Sequence, residues 1–129
     1  MPVPDRYRGI NFAPPQGVVE ALRRGLALHE QGYSGDGLQP ATVAWATRMA
    51  SGDDVTFEKA RTMAAWFARH DTQVERRARE RDKQSPAYVA WLLWGGDAGM
   101  AWAAKLVRQM DAADNEELTA RARASRSNG

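Results

Sequence analysis

The stretch Ser85–Met110, SPAYVAWLLWGGDAGMAWAAKLVRQM, constrains the fold more than any other part of the chain. Three of the five tryptophans lie within it, and other segments have to cover them. Ser85 is a good helix N-cap, and Pro86 suits the first helical position, where a missing N–H has no helical partner to lose. Tyr88, Trp91 and Leu92 recur at three- and four-residue spacing, while Val89, Leu93 and Trp94 fill the remaining arc. This helix is therefore apolar nearly all round and belongs at the centre of a helical domain. Gly95 and Gly96 suit the left-handed backbone that ends a helix, and Asp97 is positioned to cap the next one with a charge that its positive end favours. So tight a turn predicts two antiparallel neighbours. On the second helix Gly99, Trp102, Ala103, Leu106 and Met110 share one face, and Lys105, Arg108 and Gln109 fall on the solvent side.

The remaining segments supply the cover. A chain of 129 residues fits one domain that buries roughly two-thirds of its unfolded surface. From Gln16, a stripe of Val18, Val19, Leu22, Leu26 and His29 predicts a helix ending near Gly32, followed by a glycine-rich surface turn over Gln31–Gln39. A second helix starts at Pro40, carries Val43, Ala44, Trp45, Ala46 and Met49 on its apolar side, and stops at Ser51–Gly52. Thr56 caps a third, Phe57–His70, in which Ala60, Met63, Ala64 and Phe67 keep helical spacing and Trp66 widens the face. The connector Ser51–Thr56 exceeds the three or four residues of a helix-turn-helix, so these two helices read as an ordinary helical hairpin. Asp71–Gln84 is a mixed-charge run, either an exposed helical extension or a flexible excursion. Beyond Met110 only Leu118 is large and apolar. The fold class is all-α, a compact bundle of about five helices spanning residues 16–110. Residues 1–15 form an extended arm, in which Ile10 and Phe12 lie over the core or over a partner that orders them, and residues 111–129 form a flexible polar tail.

Composition excludes several kinds of chemistry. With no cysteine, disulfides and thiolate zinc sites are ruled out. The net charge of +2 is small, and the pI of 9.3 makes the chain weakly basic without strong steering toward polyanions. The longest apolar run, Tyr88–Trp94, is far below the roughly 20 residues of a membrane span, and no secretion signal is visible. There is no glycine-rich phosphate loop, and the two histidines, His29 and His70, would act together only if the first and third helices face each other there. We therefore expect no enzyme, no catalytic or metal-binding residue and no cofactor. Partner contacts are expected at Arg6, Tyr7, Arg8, Ile10 and Phe12 in the arm, at Arg76, Arg77 and Arg79 in the charged run, and at Trp94 beside the glycine turn. Arg6, Arg8, the basic residues of Arg76–Lys83, and Arg121, Arg123 and Arg126 are also the groups able to neutralise phosphates, although interleaved acids oppose this. The helical spacing of Trp91 and Trp102 makes them core residues, not stacking platforms for bases.

Four segments, in this order, resemble those of a small helical domain that recurs in tailed-phage proteins: NFAPPQGV at Asn11–Val18, RRGL at Arg23–Leu26, WFARH at Trp66–His70, and AWLLWGGDAG followed by AW over Ala90–Trp102. That domain has no assigned activity and occurs alone or appended to head-morphogenesis proteins. The similarity runs over about Ile10–Met110. It fails between His70 and Ser85, where the family carries a lysine- and glycine-rich loop. The resemblance implies a viral context, and within it the first expectation is a virion structural protein, such as a capsid cement or decoration protein or another head component. Such a protein is made in the host cytoplasm and resides in the virion, with capsid or other virion proteins, or its own copies, as partners and no membrane involvement. The alternative is a phage nucleic-acid-binding or host-takeover accessory protein.

Overall fold

Proline, serine and threonine set the helix starts in the computed structural model, which describes residues 3–127. After a 3-10 turn at Asp5–Tyr7, six helices follow among the described residues: α1 Gln16–Glu30, α2 Pro40–Ala50, α3 Phe57–His70, α4 Gln73–Arg81, α5 Pro86–Leu93 and α6 Gly96–Ser127. Thr56, Thr72 and Ser85 each accept the backbone N–H three residues on, which satisfies one of the orphan donors of a helix start. The all-helical expectation holds, with no strand among the described residues.

α5 is the short central element. It packs against α1, α2, α4 and α6, while α1 also covers α2 and α6, and α3 lies on α6. Val18 and Leu22 of α1, Met49 of α2, Met63 and Phe67 of α3, Val89 and Leu93 of α5, and Leu106 and Met110 of α6 form one buried cluster. Close approach of α1 and α5 depends on Gly25. A Cβ there would come within 2.9 Å of the Leu92 Cβ and 3.1 Å of the Leu93 amide nitrogen. Gly95, at φ +118°, makes the turn into α6, and its added Cβ would fall 2.8 Å from the Gly99 Cα. Side chains are excluded here by contact as well as by conformation.

Several expectations need correction. α2 and α3 do not form a hairpin: α2 packs on α1 and α3 on α6, so the 51–56 connector crosses the domain. Asp97 is not the cap of α6 but a first-turn residue, whose carboxylate accepts the Trp91 indole N–H at 2.8 Å. The charged run takes the helical alternative, as α4. The supposed tail continues α6 as helix to Ser127, giving an element about 48 Å long at 1.5 Å per residue.

Of the two alternatives for the arm, the structure takes the one in which Ile10 and Phe12 lie over the core, not that of an extended segment awaiting a partner. Its 3-10 turn places Tyr7 in the core, Phe12 is buried and Ile10 half-buried, and the Phe12 carbonyl accepts from the Val55 amide at 3.1 Å. Arm and tail hold each other. Arg6 Nε and the Tyr7 hydroxyl both donate to Asp114 Oδ1, at 2.6 and 2.7 Å. Arg61 on α3 reaches Asp114 at 3.3 Å and Asp111 at 3.2 Å, and Glu117 lies 3.2 Å from Arg6. Residues 1–2 and 128–129 of the expected arm and tail lie outside the described residues.

Two outcomes follow from this packing. Replacing Gly25 with Ala should cost about 1–3 kcal/mol in urea-monitored unfolding, because backbone and core both block the new methyl. The donated bonds from Arg6 and Tyr7 hold the Asp114 carboxyl below its ordinary range. Its contribution is thus present above the unfolded value of about 3.9 and is lost as pH falls through the lower folded value. Asp114→Ala should release the arm at neutral pH, read as faster tryptic cleavage after Arg6 and Arg8, whereas wild type should release it only below about pH 4, read by amide exchange in the arm.

Candidate functional site

The face between α4, α5 and the first turn of α6 gathers polar and aromatic groups around a concavity. A cleft of about 510 Å³ opens there, with Gly17 and Ala21 of α1 lining one side. Its centre is Trp91. The Arg79 guanidinium lies 3.6 Å above the indole centroid, Phe67 meets the ring edge-on at 4.9 Å, and the indole N–H is held by Asp97. Arg79 is 7 % exposed, and its Nη1 donates to the His70 carbonyl at 3.1 Å, satisfying the C-terminal end of α3. Burial lowers its pKa, yet a guanidinium keeps its proton at neutral pH.

Opposite charges around the cleft are balanced. Arg76, Arg79 and Lys83 face Asp71, Glu80 and Asp97. Arg76 is committed to Asp71 at 2.6 Å, a bond that raises its own pKa. A rim neutralised in this way has little field to concentrate anions. Its chemistry is limited to holding a small planar or amphoteric group against Tyr88, since Trp91 itself is buried.

A second aromatic group runs beside it. Trp94 stacks on Trp66 at 4.8 Å and 10°, and Trp66 continues to His70 at 4.4 Å. The Lys59 ammonium lies over Trp94 at 4.0 Å and over Trp45 at 5.2 Å, and Arg48 covers Trp45 at 4.2 Å. These indoles are engaged internally, which leaves little ring face for a nucleobase. Burial pushes the Lys59 amine down to about 8.

The histidines have separate partners. His29 Nδ1 is 2.6 Å from the hydroxyl of buried Ser34, and His70 Nδ1 is 3.1 Å from Glu75. The serine–histidine pair closes the turn after α1. No carboxylate bonds to its imidazole among the described residues, so it lacks the third group that orients a catalytic base. Among the described residues no three His, Cys, Asp or Glu side chains are grouped to hold a metal ion, and no helix is long and apolar enough to cross a membrane.

The residues expected to touch partners fall in three places. In the arm, Arg6 is tied to Asp114, Arg8 pairs with Asp5 at 2.9 Å, and Tyr7 and Phe12 point inward. On α4, Arg77 is exposed, Arg76 is paired and Arg79 is buried beneath its own helix. Trp94 is half-buried between Lys59 and Trp66. Tyr7, Phe12 and Arg79 are thus structural, since a buried side chain has no surface to offer. No protein-family model matches the chain, and neither does any curated protein sequence or solved structure.

Sequence reasoning passed over Lys59 and Asp114. Lys59 stands four residues before Met63 on the apolar stripe of α3, a position that required it to be buried. Asp114 lies four residues after Met110 on the inner face of α6, but the loss of apolar residues there masked the continuing helix. The two arginines of α4 should separate on substitution. Arg77→Ala should change unfolding free energy by less than about 0.5 kcal/mol, while Arg79→Ala should cost on the order of 2 kcal/mol and shift the Trp91 fluorescence as its cationic cover is lost.

Proposed function

We propose that this chain is a non-catalytic structural component of a bacteriophage head, acting through protein–protein contacts as a cement, decoration or other head-associated subunit. The observation that carries an interaction role is the distal part of α6. Every residue from Leu118 to Arg126 is exposed, Leu118 at 62 %, yet the chain continues as helix well past the body it packs against. A helix that is polar all round has little in its own domain to hold it and suits a segment that bridges to another molecule. The phage context rests on the likeness of the Asn11–Val18, Trp66–His70 and Ala90–Trp102 segments to the tailed-phage domain. The partner is a capsid or other virion protein, and the virion is the site of residence.

The internal commitment of the charged and aromatic groups supports this reading over an enzymatic one. It also weakens the nucleic-acid alternative, because Arg76 and Arg79 are spent inside the domain and Arg121 pairs with Glu117 at 2.9 Å.

Particles of the encoding phage, purified and analysed by quantitative mass spectrometry, should contain the chain at high copy; its absence from them overturns the proposal. A version ending at Glu117 keeps the Arg6 and Tyr7 bonds to Asp114 and should stay folded but drop out of particles. Undiminished incorporation would remove α6 from the interface.

A further inference from the structure

The cleft between α4, α5 and the start of α6 plays no part in the head-component role, yet it brings acid, base and an aromatic ring to one space of about 510 Å³. Most of its charged groups are spent inside the domain. Arg76 is bonded to Asp71, Arg79 stacks on Trp91 and donates to the His70 carbonyl, and Asp97 accepts the Trp91 indole N–H. Two are not. Glu80 on α4 and Lys83 just beyond its end both line the cleft, three positions apart and opposite in sign. Among the described residues they form no ion pair with each other or with any other group. The Lys83 ammonium lies instead 5.4 Å from the Tyr88 ring centroid. Ala21, Tyr88 and Met100, all half-buried, give the same cleft an apolar wall.

We propose that this cleft binds a free α-amino acid with an aromatic side chain. An unspent acid and an unspent base in one space suit a ligand that carries both charges on neighbouring atoms. Its carboxylate faces the Lys83 ammonium, and its ammonium faces the Glu80 carboxylate. The balanced rim works against either charge alone. A simple anion meets Glu80 and Asp97, a simple cation meets Lys83 and Arg76, and each gives up hydration that the opposing charge does not return. A peptide is poorly matched as well, because its terminal charges stand a chain length apart. The Tyr88 ring and the Met100 thioether select the side chain, since both favour an aromatic neighbour, through offset ring packing and sulfur–ring contact. The volume lies within the range of small-molecule sites.

The test titrates the purified full chain with L-phenylalanine and follows amide chemical shifts in isotope-labelled protein. The shifts should saturate with a dissociation constant on the order of 1 mM, as suits an open site with exposed charges. They should cluster at Glu80, Lys83, Tyr88 and Met100. N-acetylphenylalanine, which keeps only the carboxylate, and phenethylamine, which keeps only the ammonium, should each bind at least about tenfold more weakly. Glu80→Gln and Lys83→Met change exposed side chains that have no ion pair to lose, so both variants should fold, and each should weaken phenylalanine binding at least about fivefold. Glu80→Gln should also erase the preference for phenylalanine over its N-acetyl form. No saturation below about 50 mM, shifts centred on another face, equal affinity for either singly charged analogue, or unchanged affinity in either variant would each overturn the proposal. Because no particle is involved, this result and that of the virion experiment stand or fall separately.

Discussion

The rest of the domain depends on how Trp91 is covered. An indole in the middle of a short helix presents a large apolar body together with an N–H that must find an acceptor. The acceptor is Asp97, six residues later, and it comes within reach because Gly95 and Gly96 turn the chain sharply into α6. Phe67 from α3 closes the ring edge, and Arg79 from α4 closes a face. Three other helices, α3, α4 and α6, thereby meet at one side chain. The Gly95-Gly96-Asp97 segment is accounted for by this geometry: two glycines for the turn and one carboxylate for the Trp91 indole. The candidate cleft is the shallow space left around the same tryptophan.

A second constraint joins the chain's two ends. Neither the first dozen residues nor the segment after Met110 holds enough apolar surface to fold alone. Together they succeed, because Tyr7 supplies a buried ring against Phe57 at 5.7 Å and α6 supplies the carboxylates that Arg6 and Arg61 need. Single exposed ion pairs contribute little, but a network sharing Asp114 among two arginines and a tyrosine restricts all of them at once. The docked arm in turn caps the connector between α2 and α3 through the Phe12–Val55 bond.

What was legible in the sequence was local. Caps at Thr56 and Ser85, prolines at Pro40 and Pro86, and the three- and four-residue spacing of Ala60, Met63 and Phe67 located the helices, because those signals act within a turn or two. What failed was non-local. Nothing near Asp114 announces that an arginine and a tyrosine more than a hundred positions away will neutralise it, so a polar helix read as a tail. The same blindness hid Arg79, whose periodicity suited a solvent face until Trp91 offered it a ring. The placement of α2 on α1 and of α3 on α6 was likewise invisible, since a six-residue connector permits either a hairpin or a crossing. Of the nine residues expected at an interface, Tyr7, Phe12 and Arg79 proved to be buried and Arg6 and Arg76 are tied to carboxylates, while Arg77 stays exposed.

The two buried cations of the domain show how residue type decides what a covered charge can do. Arg79 and Lys59 both lie against tryptophan rings at low exposure. Arginine's planar fork stacks on its indole and still reaches a main-chain carbonyl, so the charge is retained and the group serves as a structural clamp. The lysine ammonium, a compact point charge on a flexible stem, pairs with no carboxylate among the described residues, and burial lowers its pKa to about 8. Exchanging the two residue types would exchange the roles: a guanidinium at position 59 would stay charged between the rings, and an ammonium at position 79 would leave part of the α3 terminus unsatisfied. The same packing principle has thus produced one cation whose charge is fixed and one whose proton is held less tightly than an ordinary lysine holds it.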